Sequence, residues 1–174
     1  MPEQPLGQAT FYQYRLLKKV TLSKPVLGIY LILPCLAVAT EMIILSWDSF
    51  LFFLLAFALV LWIHFVIGRS VLFILGSVYA KRWHFVLKTP WLGYMPDQHV
   101  SSRTFKKVQL HTTWIGFCLF GVMAFWSPTS FMLSTLFWHI WLLLPRYYAM
   151  LRFMGQHKDG MLKFSDQDIS YYMQ

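Results

Sequence analysis

Charge is what this sequence has least of. Lys, Arg, Asp and Glu make up 13 % of its 174 residues, about half the share of an ordinary globular chain. Too few charges exist to coat a water-facing surface. Acids are the scarcer sign, seven in all, and Glu41 alone falls inside a long apolar run. No paired carboxylates, no Ser/His/Asp order in motif context and no phosphate-cradling glycine loop occur, so no enzyme is expected. Cysteine is nearly absent too. Cys35 and Cys118 both sit in apolar runs, without CxxC or Cys/His spacing, which excludes a disulfide framework and a thiolate metal site. No cofactor is expected either.

What is there is apolar and aromatic: 57 % hydrophobic, 19 % aromatic, eight tryptophans. Such a chain suits a bilayer as its solvent, with rings at the two membrane–water interfaces. A helix crossing the hydrocarbon needs about 20 mostly apolar residues. Four segments come near that length: Val26–Leu45, Phe50–Gly68, Val108 or Thr112 to Trp126, and Phe131–Pro145. Between the first two lies only Ser46-Trp47-Asp48-Ser49, and between the last two Ser127-Pro128-Thr129-Ser130. Both read as tight turns, with Trp47 and Trp126 marking one interface. Every Lys and Arg lies before the first segment, at the end of the second, in the central loop or in the tail; neither turn has any. That asymmetry predicts both termini and the central loop on the cytoplasmic side. The expected fold is therefore an all-α membrane protein of four transmembrane helices in two hairpins. Its parts are a basic amino terminus (1–25), a first hairpin (26–68), a cytoplasmic or interfacial loop (69–107), a second hairpin (108–145) and a cytoplasmic tail (146–174). Cleavage as a secretory signal after Ala37-Val38-Ala39 is a competing reading of the first span.

The two halves look duplicated. Residues 15–31, RLLKKVTLSKPVLGIYL, and 103–119, RTFKKVQLHTTWIGFCL, share seven identities in seventeen at an offset of 88. After each hairpin comes a stretch too short to span, Ser70–Ala80 and Tyr147–Met154. Each reads as an interfacial helix, or, in the first copy, as a continuation of the second span.

Few residues are candidates for chemistry. Glu41 is an intramembrane acid, functional by default, but its depth suits headgroup or water contact. His64 and His139, each near tryptophan, would suit a haem or quinone site, though helix-to-helix hydrogen bonding is the commoner use. The repeated Lys18-Lys19 and Lys106-Lys107 are candidate docking points for lipid headgroups or a protein partner. The rings of the central loop, Trp83, His84, Phe85, Trp91 and Tyr94, with Met95 beside them, should anchor in headgroups or dock a partner, and Ile169–Tyr172 is a second docking element. A net charge of +8 is compatible with nucleic acid, but the basic residues fall between apolar runs and form no such footprint, so direct nucleic-acid binding is not expected.

The basic segment Arg15–Lys24 followed by a hairpin, with a tail of the form Asp159-Gly160-Met161-Leu162…Tyr171, resembles the TcpE-type small membrane proteins of Gram-positive conjugative elements. The resemblance implies a non-enzymatic, multi-pass subunit of the cell membrane, in a type IV secretion-like DNA-transfer apparatus. Its partners would be membrane lipids, other membrane subunits and a cytoplasmic ATPase. A small transporter, and an assembly factor or haem/quinone subunit, are the alternatives.

Overall fold

The computed structural model describes residues 15–76, 82–97, 99–155, 160–165 and 168–173. Strand β1 (Arg15–Thr21) leads into α1 (Lys24–Ile44), and α2 follows as Ser49–Leu75. A hairpin of β2 (Trp83–Val86) and β3 (Gly93–Pro96) precedes β4 (Val100–Ser101), α3 (Ser102–Met123) and α4 (Thr129–Arg152). Strands β5 (Met161–Phe164) and β6 (Asp168–Met173) close the chain.

The expected all-α architecture with four spans is overturned on both counts. The described residues hold six strands as well as four helices, in sheets ordered β1-β6-β5-β4 and β2-β3. Of the helices, α1 and α2 are long and apolar enough to cross a membrane, by length and composition. Helix α3 has sufficient length, but Arg103, Lys106, Lys107, Gln109 and His111 occupy its first half. Helix α4 is interrupted by Ser130, Ser134, Thr135, His139 and Arg146. Apolar content is too dilute in these two.

The turns fall where the sequence puts them. Ser49 Oγ meets Ser130 Oγ at 3.1 Å, so the α1–α2 and α3–α4 turns lie at one end of the bundle, with Trp47 and Trp126 both exposed there. The sheets lie at the other end, with the basic segments. Helix α1 begins at Ser23 in extended backbone, with Pro25 in the first turn, where its fixed φ fits and no amide is needed. Helix α2 runs unbroken through Arg69 and Ser70 to Leu75, so Ser70 onward continues the second segment; residues 77–81 of that stretch lie outside the described residues. Helix α4 likewise continues past Pro145, taking up Tyr147–Leu151, which were read as interfacial.

The apparent duplication is not a structural repeat. Lys18-Lys19-Val20 stands in β1, whereas Lys106-Lys107-Val108 stands in α3. Pairing decides the difference. Strand β1 finds β6, with Lys18 opposite Tyr171 and Lys19 opposite Ser170, across a register shift near Leu17. Pro25 then fixes the helix start after it. The second copy has no proline there and enters its helix directly.

Sheet formation also consumes both expected docking elements. Ile169 and Tyr171 of β6 are buried, as are Trp83, Trp91, Tyr94 and Met95 of the central loop. Tyr171 stacks on Phe153, Trp91 meets Phe164 and Trp83 lies over Phe105, while Phe85 of the same loop stays exposed. Trp91 donates its indole N–H to the Ser165 carbonyl at 2.8 Å, and Tyr94 meets the ring of Phe65 edge-on at 5.1 Å.

Candidate functional site

The bundle interior is a core of apolar side chains such as Phe53, Val60, Ile63, Leu72, Phe120 and Leu142, crossed by a line of polar ones. Buried with that core are Glu41, Ser49, His64, Gln109, Thr112, Ser130, Ser134, Thr135, His139 and Arg146, while Ile29, Ile32, Leu36, Ile43, Leu51, Leu55 and Trp62 face outward. The outer surface of α1 and α2 is thus as apolar as the core, which is unlike an ordinary soluble surface.

His64 from α2 and His139 from α4 are brought together, His64 Nε2 to His139 Nδ1 at 2.7 Å. The proton positions follow from the partners. His139 Nε2 lies 3.3 Å from the Thr113 carbonyl of α3, which only accepts. With both rings neutral, His139 therefore carries its proton on Nε2, and its Nδ1 accepts the N–H of His64 Nε2. His64 Nδ1 is left as a buried acceptor without a partner. The pair is packed hard. A Cβ on Gly116 would overlap His139 Cε1 and stand 3.0 Å from each ring nitrogen, and Phe117 and Phe120 present edges at 4.7 and 5.1 Å. The two facing nitrogens are engaged with each other at 2.7 Å, which leaves no space for a ligand between the rings, and His64 Nδ1 is the one ring nitrogen of the pair left open. Sequence placed each histidine correctly on its helix; only the fold pairs them.

About two turns towards the sheets, Arg146 is buried at 3 % exposure. Its guanidinium donates to Gln109 Oε1 at 3.3 Å and to the Leu92 carbonyl at 2.8 Å, with Nε and Gln109 Nε2 unpartnered. Gly93 makes room for it, since a Cβ there would lie 2.7 Å from Nη2, and its φ of 104° also favours glycine. Arg146 thus ties the β2–β3 connection to α3 and α4. No sequence signal singled it out beyond its place at a helix end.

Glu41 does not reach outward as expected. It is buried and accepts a hydrogen bond from Ser134 Oγ at 2.6 Å, beside the Ser49–Ser130 contact. Below it, Tyr30 and Trp141 stack at 4.2 Å and exchange hydrogen bonds, Trp141 Nε1 to the Tyr30 carbonyl at 2.9 Å and Tyr30 OH to the Trp141 carbonyl at 3.3 Å. These contacts fasten α1 to α4.

The four lysines separate by role. Lys18 Nζ donates to the Arg152 carbonyl at 3.0 Å, a cation on the last turn of α4 that suits the helix dipole. Lys19 pairs with Asp168, whose hydrogen bond and charge raise the ammonium pKa above its ordinary value. Lys106 and Lys107 are exposed on α3. Strands β1 and β4 are opposite edges of one sheet, about 14 Å apart at three strand spacings, so the lysine pairs do not form one patch.

Among the described residues no group of three or more His, Cys, Asp and Glu could hold a metal ion. No protein-family model, no curated protein and no solved structure matches the chain.

Proposed function

We propose that the chain is a non-enzymatic membrane subunit of a larger assembly, held in the cell membrane by the α1–α2 hairpin with its sheet end in the cytoplasm. The observation that carries this is the apolar outer surface: large aliphatic and aromatic side chains face outward along two helices of membrane-crossing length, while polar ones bond helix to helix inside. Water would not stabilise such a surface, whereas lipid does. Lys and Arg are absent from the Ser46–Ser49 turn and dense at the sheet end, which supports the orientation. Ser49 with Ser130, His64 with His139, Ser134 with Glu41 and Arg146 with Gln109 bond across helices, so these polar groups act as links between helices. That favours a scaffold over a transporter or a haem or quinone carrier.

The assembly we propose is the conjugative DNA-transfer apparatus, on the resemblance of the basic lead and the tail, with a cytoplasmic ATPase as partner of the sheet end. Two measurements test the parts separately. With Cys35 and Cys118 replaced by alanine, a cysteine at Asp48 should label from outside intact cells and one at Lys106 only after permeabilisation; the reverse sinks the orientation. Loss of the chain should abolish element transfer while element copy number holds. Unchanged transfer removes the conjugative role and leaves the membrane role standing.

A further inference from the structure

Helix α2 is longer than a bilayer needs. Its 27 residues extend about 40 Å at 1.5 Å per residue, against about 30 Å of hydrocarbon. Counted from the Ser49 end, the hydrocarbon is crossed by about Gly68, so Arg69 to Leu75 stand at headgroup depth. There the helix end and the β2–β3 hairpin enclose an open groove of about 860 Å³. Phe65, Trp83 and Tyr94 form its floor, and the apolar rim is built by Phe73 and Ile74, 72 % and 82 % exposed. Arg69 lines the same groove, with its guanidinium 5.8 Å from the Phe65 ring centre. Among the described residues no carboxylate lines it; Asp97 lies in the neighbouring pocket, 3.9 Å from His84.

We propose that this groove binds one anionic phospholipid, its phosphate on Arg69 and an acyl chain descending along Phe65 and Val66 towards the hydrocarbon. This rests on the membrane reading above. Charge and shape select the occupant. A cation without a lining acid favours a net anionic headgroup over a zwitterionic one, which needs a negative group for its amine. The apolar lining on the hydrocarbon side of Arg69, Phe65 and Val66, is more than a bare phosphate needs and matches an acyl chain rising from the leaflet. Indole and phenol at the floor are the side chains that lie well at this depth.

The test uses the full chain in phosphatidylcholine nanodiscs containing a minority of brominated lipid. Brominated phosphatidylglycerol should quench tryptophan fluorescence more than brominated phosphatidylcholine, and Trp83→Phe should remove most of that excess. Arg69→Gln, at an exposed position, should lower the phosphatidylglycerol preference about five-fold, the weight of one basic residue at a lipid surface. Glycerol phosphate added in excess should leave the quenching unchanged. An unchanged preference in Arg69→Gln overturns the proposal, and so does displacement by glycerol phosphate. Failure of the wild type to enter nanodiscs, with release from membranes by alkaline carbonate, would instead overturn the membrane reading.

Discussion

Gly28 and Gly116 are matched positions in the apparent sequence repeat, and alanine at the two should have opposite effects. Around Gly28 nothing lies within 4 Å of a built Cβ, so Gly28→Ala should gain up to about 1 kcal/mol from helix propensity. At Gly116 the same methyl group overlaps the His139 ring. That ring cannot swing aside cheaply, being bonded to His64 and facing the Thr113 carbonyl, with two phenylalanines against it. Overpacking costs about 1–3 kcal/mol. The two hydrogen bonds add about 0.6 kcal/mol each if they behave like others between membrane helices. Propensity returns about 1 kcal/mol. Overpacking is therefore the deciding effect, and the net loss should be about 2 kcal/mol, or about 4–8 °C in Tm for a chain of this size. Thermal unfolding in detergent, followed by size-exclusion fluorescence, reads it directly. In a His139→Ala background, Gly116→Ala should cost nothing or stabilise, because the obstructing ring is gone. Equal shifts for Gly28→Ala and Gly116→Ala, or an undiminished cost without His139, would refute the packing argument.

Three further expectations can be checked on the same preparation. Glu41→Gln should be nearly neutral, since the amide oxygen still accepts from Ser134, whereas Glu41→Leu should cost about 1 kcal/mol by leaving that hydroxyl unpaired; equal stability of the two would place the acid outside the helix contact. His99, against the Tyr172 ring, has its pKa lowered first by burial and then by Lys163. A depressed histidine favours the neutral folded form, so its contribution is present above the ordinary value near 6.5 and is lost as pH falls below it. The stability gap between wild type and His99→Asn should therefore shrink between pH 7 and pH 5, and a gap flat with pH refutes this. Replacing exposed Lys106 and Lys107 by Gln should weaken co-purification of the ATPase, more at high salt, with Tm unchanged. Unaltered recovery would leave these lysines as orientation signals only.

The helical hairpins were legible because the apolar runs and the Lys- and Arg-free turns act locally, within a few residues. The strands were not. Leu16, Leu17, Lys18 and Lys19 show no apolar–polar alternation, and β1 becomes a strand only because β6 lies beside it. Strands of four residues, such as β2 and β5, carry too little pattern to stand out between helices. The repeat misled for the same reason, since identical Lys-Lys-Val segments take their conformation from what they meet. Histidines 64 and 139 were recognisable as polar groups on helix faces, but their 2.7 Å contact depends on parallel packing of α2 and α4. Arg146 gave no sign of burial, because an arginine directly after an apolar run normally reaches water, and the glycine that admits it opens β3, far away in the sequence.

Pairing of β1 with β6 has a consequence for how the molecule is made. Arg15 is opposite Met173, so β1 has no mate until β6 has been made, after all four helices. At about 5–20 residues per second, the wait is on the order of ten seconds, long enough for α1 and α2 to form first. During that interval β1 is an open edge carrying Arg15, Lys18 and Lys19. Closure of the sheet is then timed by the making of β6: a chain stopped short of Asp168 lacks the mate of β1, an order of events that gives quality control a clear mark of an incomplete fold.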